Sequence, residues 1–329
     1  MFKTKKIGLF LAAFAVLVLV LSACAAETVE VTRVVEQEVT RVITETEVVE
    51  GETVEVTRIV TEEVMVEVPA EPAEEEMMDK PITLNRNLGT EPPTYDPSLT
   101  TDTTSVELVG NSFVGLTVLD QVTAEVKPWL ATDWSAGEDE EGNQTWTFNL
   151  RDDISWVQWD PESDAVEARL GDEGNVRKVM PSDVEFGVKR TIDPETASSY
   201  AYVLYVVKNG QAVNEGSEEL TLDDVGVSCD DEALTCTFTL ENPAPYFPSI
   251  ASMWIAMPQP AWAIDQYGDN WTEPGLVNSN GPYVMSEWIH GGSIQMVKNP
   301  FWIFADDVQI EHIDYVMVTE ASTSFAMYE

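Results

Sequence analysis

Cys229 and Cys236 flank the six-residue run Asp230 to Thr235, between two strand-like stretches, Val225 to Cys229 and Cys236 to Leu240. A hairpin at that point sets the two sulfurs opposite each other, so the pair reads as a disulfide outside the cytoplasm, with two free thiols as the other possibility. These cysteines and only two histidines, His290 and His312, make a poor metal set. The sequence has no Gly-rich phosphate loop, no Gly-x-Ser-x-Gly elbow and no His-Glu-x-x-His. Among 59 acidic residues some pair of carboxylates falls together by chance, so their number carries no argument for a glycosidase. Ten tryptophans raise the thought of sugar stacking, but Trp129, Trp134, Trp146 and Trp271 read better as packing residues. The residues therefore predict binding without catalysis, and neither cofactor nor metal.

The N-terminus predicts an address outside the cytoplasm. Lys3, Lys5 and Lys6 precede an uncharged apolar run from Ile7 to Val20, which is the layout of a signal peptide over residues 1–23. The run is shorter than the ~20 apolar residues of a spanning helix. It ends at Leu21-Ser22-Ala23-Cys24, which resembles the lipobox of bacterial lipoproteins. That resemblance implies that Cys24 is the lipid-attachment residue and the new N-terminus after cleavage. Each buried methylene adds about 0.8 kcal/mol, so several acyl chains would tether the protein to the membrane. The alternatives are an ordinary signal peptide cleaved after Ala23 or Ala26, or an uncleaved anchor.

Formal net charge is −42, and loss of the three leader lysines makes it more negative. Such a surface repels polyanions, which argues against nucleic acid as a partner and suits a cationic or zwitterionic ligand or a salty habitat. Residues 24–80 are built almost wholly of Val, Thr and Glu, and Glu27 to Val35 returns as Glu52 to Val60 with one change. No aromatic residue occurs from Ala25 to Asp79, so this stretch is expected to be a solvated low-complexity stalk, with a break at Pro69 and Pro72. Val35, Val42, Val49 and Val56 recur at the spacing of a coiled-coil seam, but the β-branched content counts against a helix.

From Pro81 onward, strands and helices alternate. Ile82 to Leu88 and Thr145 to Leu150 alternate apolar and polar residues as half-buried strands do. Ser182 and Glu185 stand at the spacing of a capping box, predicting a helix that runs to about Ile192. Along the same stretch, Gly89-Thr-Glu-Pro-Pro-Thr-Tyr-Asp-Pro97, Phe113 to Thr117, Lys127 to Ala131 with Trp134, and Trp146 to Asp152 follow in order. Pro181 to Phe186, Lys189 to Tyr200, Asn242 to Phe247, Tyr267 to Trp271, Ser279 to Tyr283 and Ala321 to Thr323 continue the series. Together these blocks resemble the oligopeptide and dipeptide solute-binding family that feeds ABC importers, bacterial extracellular solute-binding protein family 5.

The resemblance implies an α/β, mixed α+β fold: a periplasmic-binding-protein-like type II lobe over 81–329, divided into a core subdomain (81–112 and 259–329) and an inserted one (113–258). Family members run longer, so Glu329 looks like a premature end, with the second lobe missing. It also implies ligand contact by Tyr200 and by Thr101, Asp102 and Thr103. Asn280 and Tyr283 are further candidates, although Asn280-Gly281-Pro282 is equally ordinary turn chemistry. The segment from Trp156 to Val179 departs from the family by replacing a short loop with a longer charged one. The implied function is capture of oligopeptides, dipeptides or similar solutes outside the membrane, on the periplasmic or cell-surface side, and delivery to an ABC permease. The alternatives are a surface structural or interaction lipoprotein whose stalk is the functional part, or a carbohydrate-binding member of the same family.

Overall fold

The computed structural model describes residues 32–49, 52–69 and 81–328. The chain divides into two units, residues 1–80 and 81–329. Cys24 and the signal segment lie outside the described residues. No helix among the described residues is long and apolar enough to cross a membrane.

The first unit holds two strands, β1 (Thr32–Val49) and β2 (Glu52–Pro69), paired antiparallel from Thr32 opposite Pro69 to Val49 opposite Glu52. The stalk expected over 24–80 is extended and paired where it is described, at 32–49 and 52–69. The physical reason is composition: alternating Val and Thr disfavour the helix through their branched Cβ and favour the extended chain, so like segments pair.

The second unit opens with β3 (Thr83–Asn87), α1 (Thr103–Ser112) and a short hairpin of β4 (Thr117–Leu119) and β5 (Val126–Pro128). Then come β6 (Ala131–Glu138), β7 (Gln144–Leu150), β8 (Val157–Asp160), β9 (Ala165–Ala168) and the long helix α2 (Pro181–Ile192). A short helix α3 (Gly210–Asn214), β10 (Val227–Asp230), β11 (Thr235–Thr239), α4 (Phe247–Ile250) and α5 (Ala261–Tyr267) follow. The unit closes with β12 (Asn278–Ser279), β13 (Tyr283–Ile289), β14 (Ser293–Lys298), β15 (His312–Val316) and α6 (Ala321–Tyr328). The strands form antiparallel sheets β10-β11-β7-β6 and β12-β8-β9, and a mixed sheet β13-β14-β15-β3 in which β15 and β3 run parallel. This is the mixed α/β architecture expected.

β7 shows how alternation becomes a core. Phe148 is fully buried, with its ring 5.8 Å from Phe238 and 6.2 Å from Phe247, while Thr147 on the opposite face hydrogen-bonds Thr237 across the ladder at 2.9 Å. Cys229 and Cys236 are direct partners in the neighbouring β10–β11 pair and are disulfide-bonded. β3 departs from its expected half-burial. It is the edge of its sheet, and all five of its residues are exposed.

α2 ends at Ile192 as expected but starts differently. Met180 is the capping residue, and its N–H donates to Asp183 Oδ2 at 2.9 Å. Ser182 instead donates through its N–H and hydroxyl to Asp231, and Glu185 accepts from Lys189 and from the Cys229 N–H. Pro181 explains the shift: its ring presets the first helical residue, so the cap falls two positions earlier, at Met180. Burial pushes the Asp183 carboxyl up to about 6, against the lowering effect of the Met180 N–H and the Trp156 indole.

One face of α2, Val184, Val188 and Ile192, is buried, and at Gly187 the helix touches the chain at Met257. A Cβ on Gly187 would lie 2.2 Å from the Met257 carbonyl oxygen, a backbone atom that cannot swing away. Gly187→Ala is therefore expected to lower the unfolding free energy by about 1–3 kcal/mol through overpacking, despite its better helix propensity. A urea midpoint at or above that of the parent chain would contradict this packing.

Candidate functional site

The site is built on a buried ion pair. Asp96 and Arg190 meet through two hydrogen bonds of 2.8 and 2.7 Å, with side chains only 5% and 16% exposed. Asp96 also accepts from the Ser98 N–H at 2.9 Å and the Trp271 indole N–H at 3.1 Å. Arg190 donates a further bond to Gln259 Oε1, whose Nε2 donates to the Ser98 hydroxyl. That hydroxyl shares a 2.8 Å bond with Thr191, and the Ser98 carbonyl accepts from Ser198 at 2.5 Å. The 96–100 turn, the last turn of α2 and the segment leading to Tyr200 are thus locked to one another.

On this frame Tyr200 is half-buried, with its ring centroid 5.5 Å from that of Trp254 and 5.6 Å from that of Tyr202. Tyr202 is 58% exposed. The Trp254 indole N–H donates to the Thr100 carbonyl at 2.9 Å, so Trp254 joins Tyr200 to the loop that carries Thr101, Asp102 and Thr103. Thr101 and Thr103 are exposed. Asp102 caps α1 by accepting the Ser105 N–H at 2.9 Å, which leaves its second carboxylate oxygen without a protein partner. The result is an aromatic shelf beside two exposed threonine residues, able to stack and to hydrogen-bond, while the unpartnered Asp102 oxygen is itself closed to solvent. No group of three or more His, Cys, Asp or Glu able to hold a metal occurs among the described residues.

Asn280 and Tyr283 do not join this surface. Asn280 is fully buried: its side-chain oxygen accepts the Val114 N–H at 3.0 Å and its own N–H donates to the Ser112 carbonyl. Tyr283 is 8% exposed, and its hydroxyl donates to the Ile310 carbonyl at 3.2 Å. Both read better as supports of the chain than as ligand contacts, because Gly281 presses against Ser112 too closely for a side chain or a solute to intervene. Trp254 was missed by sequence reasoning: it stands in Ser252-Met-Trp-Ile-Ala256 with no local pattern to mark it. Trp129, Trp134, Trp146 and Trp271 pack against the core as expected. A groove of about 870 Å³ runs along α2 past Leu99, Phe186, Lys189 and Ile264 and does not include Tyr200 or Thr101–Thr103.

A second ionic cluster pins the loop before Asp96. His290 Nδ1 lies 2.9 Å from Glu91 and its Nε2 3.4 Å from Glu273, with the ring 4.5 Å from Trp288. Glu91 also accepts from the Trp288 indole and the Gly291 N–H. Partial burial raises the Glu91 carboxyl, but these donors outweigh it and hold the group below its ordinary value. The Glu91 bond, seconded by Glu273, raises the imidazole above its ordinary value.

Comparison with known proteins places this architecture among binding proteins. The profile of bacterial extracellular solute-binding proteins, family 5 (middle region), matches residues 125–329. The chain belongs to this family. It is 31% identical over 255 residues to the oligopeptide-binding protein OppA of Bacillus subtilis, covering 75% of this chain and 41% of the relative. It is 30% identical over 240 residues to the dipeptide-binding protein DppE of the same organism, covering 73% and 40%. The substrate-binding domain of an oligopeptide ABC transporter from Bacillus anthracis superposes with a TM-score of 0.64 at 29% identity, covering 76% of this chain and 44% of that one. The chain thus spans about two fifths of the length of the curated relatives it matches.

Two outcomes test the frame. Asp96→Ala strands a buried guanidinium and is expected to cost about 3–5 kcal/mol in urea unfolding, whereas Asp96→Leu combined with Arg190→Met costs less than that single change. Equal losses would show that the pair is not the coupling unit. For His290, a pKa raised by folding means that the clasp contributes fully below pH 6.5 and fades as pH rises through the raised value. NMR titration of His290 should show the raised midpoint, and Glu91→Gln should return it toward 6.5. An unmoved midpoint in that variant would sink the assignment.

Proposed function

We propose that the chain captures oligopeptides, dipeptides or similar solutes outside the membrane and delivers them to an ABC permease, held to the membrane by lipid on Cys24. Family membership supports a binding role, and the named relatives bind oligopeptides and dipeptides. The observation that carries the reading here is the Tyr200–Trp254 shelf beside Thr101–Thr103. An extended peptide offers what this surface can meet: amide N–H and C=O groups for the threonine hydroxyls, and side chains for the rings. The acidic surface favours a zwitterionic or cationic solute over an anionic one. The protein would work by shifting its population toward a ligand-closed form and would release the solute unchanged.

Calorimetric titration of the detergent-solubilised full chain with peptides of two to five residues tests this. Binding is expected, and Tyr200→Ala should weaken it about tenfold while leaving the urea midpoint nearly unchanged. If no peptide binds, and native mass spectrometry of the freshly purified chain finds none retained, the reading fails.

A further inference from the structure

The unit from Pro81 to Glu329 contains ten lysines and arginines. Seven of them, Arg86, Lys127, Arg151, Lys189, Arg190, Lys208 and Lys298, each pair with a carboxylate at 3.2 Å or less. The three without a carboxylate partner among the described residues, Arg169, Arg177 and Lys178, all lie in the segment that departs from the family pattern. Lys178 is accounted for by the Ser155 hydroxyl at 3.0 Å. The two arginines are not. In a chain with 59 acidic residues, two adjacent guanidinium groups left without a counter-charge call for a physical explanation.

Their placement is specified by the backbone. The Arg177 N–H donates to the Arg169 carbonyl at 2.7 Å, and both residues bond the Trp156 backbone, so the two side chains leave neighbouring positions of one small ladder. Both reach Trp262 at the start of α5: the guanidinium carbon of Arg177 is 4.6 Å from the indole centroid and that of Arg169 5.5 Å. Stacking uses the flat faces of the guanidinium and leaves its in-plane N–H groups available. One terminal nitrogen of Arg169 donates to Gln158 Oε1. Arg169 Nε, Arg177 Nε and Trp262 Nε1 are buried atoms with no acceptor. Asp183 is the acid whose titration feels Arg177, but its carboxylate is already engaged by Met180 and Trp156.

We propose that Arg169, Arg177 and the Trp262 indole N–H form a binding site for a small oxyanion, a carboxylate or a phosphate. Three donors of one kind, two of them cationic and gathered on one ring, match the acceptor-only oxygens of such a group. The three residues are half-buried as wholes but their donor nitrogens are closed to solvent, so an ion reaches them only as the side chains shift. An anion there would separate the two like charges and satisfy the three N–H groups together. The site is built by the departing segment and α5 rather than by the Tyr200 shelf, so it stands independently of the peptide-binding reading.

The test is titration of the full chain with inorganic phosphate and, separately, with acetate, at constant ionic strength, following the Trp262 indole N–H by NMR. That signal is assigned by its disappearance in Trp262→Phe, which keeps the ring and removes the donor. Saturable movement with a dissociation constant in the millimolar range or tighter is expected for at least one anion, and the anion that acts distinguishes phosphate from carboxylate. Arg177→Gln should weaken the response about tenfold, and Arg169→Gln with Arg177→Gln should abolish it. Arg177→Lys, which keeps the charge but loses Nε and the planar fork, should fall in between and covers the case of a misfolded glutamine variant. An indole signal that does not move with either anion up to about 10 mM, ordered water alone at the three N–H groups in a crystal grown with phosphate, or an undiminished response in the double variant would each overturn the proposal.

Discussion

Burying the Asp96–Arg190 pair is the constraint from which the rest of the globular unit is arranged. A guanidinium does not shed its proton, so once Arg190 is taken from water the chain has to supply acceptors in fixed positions. It does so with Asp96, which in turn is fixed by the Ser98 amide and the Trp271 indole, and with Gln259. Removing either partner would leave the other charged and dry, so the turn after β3, the end of α2 and the segments around 259 and 271 form together. Ser198 and Thr191 extend the same network to the backbone of Ser98 and Ile255. Tyr200, two residues past Ser198, therefore inherits its position from an ion pair it does not touch. The pair contributes alignment more than net stability, since the cost of desolvating it offsets much of its attraction.

What could be read from the residues follows from what is local. The alternation of Thr145 to Leu150 and the pairing of Cys229 with Cys236 each depend on neighbours a few positions away, and the paired strands show both. The end of α2 at Ile192 was equally legible, for Asp193 and Pro194 stop a helix wherever they stand. Its start was not: Met180 has no capping side chain by type, and Ser182, which does, gives its hydroxyl to Asp231, a residue far along the chain. β3 alternates correctly, yet its exposure is a property of lying at a sheet edge, which alternation does not encode. Asn280 is the same case in reverse: a turn-forming asparagine looks available until Ser112 and Val114 are seen to close over it. Trp254, isolated in sequence, gains its role only by standing between Tyr200 and Thr100.

In residues 24–80, composition bears on the core and on pairing separately. Absence of aromatic residues rules out a packed core, and for that purpose the reading was sound. It does not rule out pairing, because a hairpin needs only backbone groups and a side-chain pattern compatible with the pleat. Val, Ile and Thr make up more than half of residues 28–68, which is poor helix chemistry and good strand chemistry. The near-repeat does not pair with itself: residues of the copy at 52–60 lie opposite 41–49. Recurrence thus reflects one strand-forming composition used twice, not two halves of a palindrome.

Charge ties these observations together. In a chain carrying −42, cations are scarce and acids are everywhere, so a basic side chain placed at random would find a carboxylate with little cost. Arg190 uses that abundance to organise the core, and Lys189, Lys208 and Lys298 use it at half-exposed positions where single pairs contribute little. Arg169 and Arg177 depart from the rule, both in the charged segment between Trp156 and Val179. Asp172 and Glu173 stand between them in sequence, close enough to serve, yet the turn exposes both acids to solvent while the arginines fold back onto Trp262. Stacking on an indole face compensates a guanidinium only in part, because the ring offers a quadrupole and no acceptor for an N–H in the guanidinium plane. The unmet requirement is for oxygen, and a folded chain that turns its own carboxylates away from such a position leaves it open to the oxygen of another molecule.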